Sequence, residues 1–100
     1  MFYIYIIHSV TAKKTFIGHA ENPWEKLISI NKDETSKYTG KQTDWELVAL
    51  FEVANKEDVM SIENFIKKQK SPKLMEKLID SSFIPAGSLE KLNRITLIKP

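Results

Sequence analysis

The six residues that follow Met1, Phe2-Tyr3-Ile4-Tyr5-Ile6-Ile7, are all aromatic or β-branched. A short run that is apolar at nearly every position, not at alternate ones, belongs to a strand buried on both faces. Such a strand must be central, so the rest of the chain has to supply neighbours and covering layers. The nearest neighbour is residues 15–18 (TFIG), joined through residues 8–14. That short link predicts an antiparallel hairpin.

The covering layers are helices. Asn22-Pro23 reads as a helix start, because asparagine caps well and proline is favoured at the first helical position. Trp24, Leu27 and Ile28 follow at i, i+3 and i+4 spacing, which predicts that this face packs on the sheet and that the helix fades near Asn31. Residues 32–44 are polar and aperiodic and are expected to form a long loop. Residues 45–53 (WELVALFEV) make a third strand, with Trp45, Leu47, Ala49, Phe51 and Val53 expected on one side and Val48 and Leu50 on the other. Asn55 caps a second helix, about residues 56–70, with Val59, Ile62 and Ile66 as its apolar stripe and Met60 and Phe65 at the flanks. Ser71-Pro72 breaks that helix and opens a third, carrying Leu74, Met75, Leu78 and Ile79. The order β-β-α-β-α-α gives an α+β fold, a three-stranded antiparallel sheet flanked by helices. Residues 1–82 form the domain proper. Residues 83–100 are too apolar for a free tail and are expected to dock on it as a C-terminal extension.

Composition narrows the function classes. The chain has no cysteine, which removes disulfide frameworks and cysteine-based zinc sites and fits a reducing compartment. Its longest apolar run is far short of a membrane span, and the basic flank of a signal peptide is missing. A cytoplasmic location is the expectation. The net charge is +2, from 15 basic and 13 acidic residues. The distribution matters more: Lys67, Lys68, Lys70, Lys73 and Lys77 stand against Glu76 alone, and Lys32, Lys37 and Lys41 against Asp33 and Glu34. These runs read either as solvated helix faces or as phosphate-facing patches. Arg94 is the sole arginine, an unusual shortage for a nucleic-acid enzyme, since the guanidinium fork is the better phosphate clamp.

Taken in order, Tyr3-Ile4-Tyr5 with Phe16-Ile17-Gly18, then residues 22–27, Ser36-Lys37-Tyr38-Thr39, Trp45-Glu46-Leu47-Val48 and residues 61–71 (SIENFIKKQKS) resemble the GIY-YIG endonuclease superfamily, in particular its short stand-alone bacterial members. The resemblance covers about residues 2–80. It implies divalent-metal-dependent cleavage of DNA phosphodiesters, with one Mg²⁺ or Mn²⁺ ion as cofactor and DNA as partner. Carried across by position, the tyrosine of the first motif is Tyr5 and the glycine of the second is Gly18. The second motif's tyrosine is Phe16, which lacks the hydroxyl. The first-helix arginine falls on Lys26, the polar residue one turn later on Ile30, and the metal-binding glutamate on Glu63.

Such a reaction needs an activated water, a cation for charge developing on the phosphoryl oxygens, and help for the leaving oxygen. A carboxylate can hold the ion while water and phosphate fill its other positions. A nearby tyrosine can position water or move a proton. On a helical wheel Glu63 lies about 40° from Val59 and Met60 about 100°. That puts a carboxylate at the edge of a packed face. Without the resemblance, Glu63 reads as a partner of Lys67 at i+4, Tyr5 as core and Lys26 as a surface lysine. His8 and His19 bracket the hairpin, and His19, next to the motif glycine, is a further candidate for the lost polar role. Lys37, Lys41, Lys67 and Lys70 are the candidate nucleic-acid contacts. Three readings stand: a nuclease, a nucleic-acid-binding relative that does not cut, and a protein-interaction module built on the C-terminal segment.

Overall fold

The computed structural model describes residues 1–32 and 44–95. Its elements run β1 (Phe2–Ser9), β2 (Lys14–Ala20), α1 (Pro23–Lys32), β3 (Trp45–Val53), α2 (Lys56–Gln69), α3 (Pro72–Ile79) and β4 (Asn93–Arg94), with a short 3₁₀ turn at Gly87–Leu89. The strands form one antiparallel sheet in the order β2-β1-β3-β4. β1 is therefore the inner strand that its apolar run demands, paired with β2 in a hairpin and with β3 on its other side. Ile4, Ile6 and Ile7 are almost wholly buried.

The sheet has four strands, not three. Asn93 pairs with Glu52 and Arg94 with Phe51, and the Ile95 amide donates to the Leu50 carbonyl at 2.9 Å. Two polar residues carry no strand pattern, so β4 is invisible to periodicity. Arg94 fixes it instead. Its guanidinium lies 4.7 Å above the centre of the Phe51 ring, and Nη2 donates to the Leu78 carbonyl at 2.9 Å. Cation–π contact and a charge-assisted hydrogen bond together join β4 to β3 and α3.

Two packed layers sandwich the sheet. On one face Ile4, Ile6, Ala49, Phe51 and Val53 meet Val59, Ile62 and Ile66 of α2 and Leu78 of α3. On the other, Tyr5, Ile7, Trp45, Leu47 and Leu50 meet Leu27 and Ile30 of α1. The face assignment along β3 thus differs from simple alternation. Ile6 pairs with Ala49 but Ile7 pairs with Leu47, so Val48 is an inserted residue. A bulge of one residue reverses side-chain parity, since the strand period is two. Trp45 and Leu47 are thereby turned to the α1 face, away from Ala49, Phe51 and Val53.

α1 is also rotated from the face its spacing predicts. Trp24 and Ile28 are 51% and 55% exposed, while Leu27 and Ile30 pack inward. The cause is polar. Asn31 Nδ2 donates to the Trp45 carbonyl at 3.0 Å, and the Trp45 amide donates to Asn31 Oδ1 at 2.9 Å. This two-point clamp satisfies both backbone groups at the start of β3 and sets the roll of the helix. The other helix starts follow their sequences. Asn22, Asn55 and Ser71 accept from the amides of Glu25, Asp58 and Leu74, and Pro72 opens α3. Among the described residues no helix is long and apolar enough to cross a membrane.

Removing the clamp tests its weight. Asn31→Ala should cost about 1–3 kcal/mol by leaving backbone groups of the buried Trp45 unpaired, read as a lower urea midpoint at unchanged slope. An effect below about 0.5 kcal/mol would assign the roll of α1 to Leu27 and Ile30 alone.

Candidate active site

β2 is one of the two edge strands of the sheet, and the layers on both faces come together along its free edge. There they enclose a cleft of about 720 Å³. Tyr5, Phe16, Lys26 and Ile30 line it from the α1 side. Ile17, His19, Glu63, Lys67 and Met75 line it from the α2 and α3 side, and Gly18 lies between.

Gly18 faces Tyr5 directly in the β1–β2 register. A Cβ built on Gly18 would sit 2.5 Å from the Tyr5 hydroxyl and 2.6 Å from the ring carbon that bears it. A side chain fits there only if the phenol, which lies across the backbone of β2, shifts. Tyr5 is only 8% exposed, and burial, followed by the negative charge of Glu63, raises its hydroxyl above the ordinary value of 10.0. At neutral pH Tyr5 is therefore a proton donor, not a phenolate.

Glu63 stands on the first-layer side of α2 and is 7% exposed. A buried carboxylate is costly unless paired, and both of its oxygens are paired. His19 Nδ1–H donates to Oε2 at 2.6 Å and Lys67 Nζ to Oε1 at 3.1 Å. The Lys67 pair is the i,i+4 contact that helix spacing predicts. The His19 pair joins residues 44 positions apart. No local signal marks it, although both residues stand out separately as candidates. Burial of Glu63 is deeper than its position at the stripe edge implies, because the β2 edge and His19 close over it.

Phe16 has no hydroxyl to offer and packs on Trp45, with ring centres 5.3 Å apart and planes at 51°. Lys26 is exposed on α1 and Ile30 lies beneath it by one turn. Lys70 lines a neighbouring hollow that shares Ile17, Lys67 and Met75 with the cleft. Lys37 and Lys41 lie outside the described residues. Arg94 is at the far edge of the sheet, committed to Phe51 and Leu78, and supplies no clamp to the cleft. His8 instead shares a 2.9 Å hydrogen bond with Thr15, a residue that spacing does not single out and that also lines the cleft.

Among the described residues no three His, Asp or Glu side chains gather as a metal cage. The donor set is a single carboxylate on the cleft wall. Mg²⁺ is commonly bound through one or two carboxylates, with water and substrate phosphate completing its shell. The residues present fit that mode, provided that His19 or Lys67 yields an oxygen of Glu63.

A family model described as the GIY-YIG catalytic domain matches residues 1–77. No curated protein and no solved structure matches the chain.

Two outcomes follow from the Tyr5–Gly18 stack. Gly18→Ala forces the phenol off the strand and should cost about 1–3 kcal/mol in stability, as overpacking does. A melting temperature equal to that of the unaltered chain would refute the tight fit. The unfolded chain releases the Tyr5 proton near pH 10, the folded chain only above it, so stability present below pH 10 is lost as pH rises further. Urea midpoints measured from about pH 9 to about pH 11 should fall less steeply in Tyr5→Phe than in the parent.

Proposed function

From the premise that this chain belongs to the GIY-YIG family, a family of nucleases, we propose that it hydrolyses DNA phosphodiesters with the aid of one divalent cation, Mg²⁺ or Mn²⁺. The observation that carries the reading is the convergence of Tyr5, Gly18, His19, Lys26 and Glu63 on one cleft. Glu63 would hold the ion. When bound, such an ion offsets phosphoryl charge and lowers the pKa of its water.

The chain's own residues supply the rest. Tyr5 lines the cleft and keeps its proton at neutral pH, and in this reading it donates that proton to an oxygen of the phosphate or of the leaving group. Lys26 and Lys67, both cleft residues, attract and neutralise the backbone. His19 orients the Glu63 carboxylate and shares its charge. Lys70 extends the cationic track along the neighbouring hollow.

A second reading has its own observation. Phe16 and Ile30 present hydrocarbon to the cleft, and Lys26 is a point charge without the guanidinium fork. Each lost transition-state contact commonly costs about 10²–10³ in rate. These positions favour a slow enzyme or a relative that binds nucleic acid without cutting it.

The test is incubation of purified protein with plasmid, nicked and branched DNA, in Mg²⁺, in Mn²⁺ and in EDTA. Metal-dependent cleavage that falls at least about 10²-fold in Glu63→Ala is expected. Cleavage that survives Glu63→Ala would mark a contaminant. Salt-sensitive binding without cleavage would select the second reading, and a gain of activity in the double variant Phe16→Tyr, Lys26→Arg would then identify the two positions that silence it.

A further inference from the structure

The cleft is lined by side chains of two kinds, polar ones such as Tyr5, His19, Glu63 and Lys67 and apolar ones. Both kinds occur on each side: Phe16 and Ile30 share the α1 side with Tyr5 and Lys26, and Ile17 and Met75 share the other side with His19 and Glu63. Phosphodiester chemistry has no use for the apolar kind, because a phosphate is recognised by charge and hydrogen bonds alone. The apolar lining on the α1 side is also held in position. Phe16 rests on Trp45, and Trp45 is fixed by the Asn31 clamp, so the ring is a firm surface along the free edge of the sheet. Lys26 and Lys67 line the same cleft. An anion attached to a flat apolar group matches both kinds of lining at once, and a nucleotide is such a group.

We propose that the Phe16–Ile30 surface takes an unpaired DNA base next to the phosphate bound by the polar side chains, and that this makes the protein selective for single-stranded over duplex DNA. In a duplex the bases are stacked and paired, and only the backbone and groove edges face outward. A base could reach Phe16 only by leaving the stack. In a single strand the bases are free, and each has a face that stacks on an aromatic ring regardless of sequence. Phe16 here acts on substrate choice, a role that a ring without a hydroxyl performs as well as tyrosine. The inference rests on the nucleic-acid reading of the cleft.

Fluorescence anisotropy in EDTA and low salt tests it on the unaltered protein, with three probes of equal length: labelled oligothymidylate, an abasic strand of the same backbone charge, and a duplex. Oligothymidylate should bind about tenfold more tightly than either of the others, the effect of a stacked base on an aromatic side chain. Phe16→Leu, which keeps apolar volume and loses the ring, should remove most of that advantage and leave the abasic affinity unchanged. Phe16→Tyr should retain it. Equal affinity for oligothymidylate and the abasic strand, or a duplex bound as tightly, would overturn the base recess while leaving the nuclease reading intact. Failure of all three probes to bind would overturn the nucleic-acid reading itself.

Discussion

The candidate site depends on an absence of atoms at Gly18. Because no Cβ stands there, the Tyr5 phenol can lie across the edge strand, with its hydroxyl where that carbon would be. Tyr5 belongs to the α1-side cluster, whereas Glu63 belongs to α2, which covers the opposite face. A sheet normally keeps its two faces apart. Here the edge strand is thin enough at one residue for a side chain of one face to feel the charge of the other. Burial raises the Tyr5 hydroxyl most, and the charge of Glu63 that reaches it through this thin edge adds to that rise.

The buried carboxylate imposes the second constraint. Glu63 would be an expensive residue in a packed layer if left alone, and His19 and Lys67 offset the cost by meeting one oxygen each. The same pairing holds the carboxylate in one orientation at the cleft wall. A ligand that binds Glu63 must compete with two cationic or hydrogen-bonding partners, so the site is poised and not open. Local stability and readiness to bind are here set against each other.

How much of this was legible in the sequence follows from the range of each signal. The hairpin, the three helix starts and the inner position of β1 rest on local patterns, and they are as the residues indicate. The departures all involve long-range contacts. The Val48 bulge turns Trp45 towards Phe16, and no residue type in WELVALFEV announces it. The roll of α1 answers to Asn31 gripping the backbone of Trp45, which outweighs exposing Trp24 and Ile28. β4 exists because Arg94 finds Phe51 and Leu78, not because Asn93-Arg94 favours a strand. In the cleft, the i,i+4 partner of Glu63 was legible and the distant one, His19, was not. Tyr5, Gly18 and Glu63 carry no mark of function from composition or period; only their resemblance to a family pattern singles them out.

The hydrocarbon at Phe16, where the family pattern has a tyrosine hydroxyl, has a kinetic meaning that depends on when the contact is made. A phenol aimed at the reacting phosphate acts mainly in the transition state, and its loss lowers kcat. A ring that stacks on a base beside the phosphate binds substrate and transition state alike, which lowers KM and leaves kcat where it was. Exchanging the first for the second moves binding energy from the chemical step to substrate capture. Under the proposed function, such an exchange suits the cleft to holding a strand firmly and cutting it slowly. The slow enzyme and the binding protein then differ only in how far one such exchange has gone.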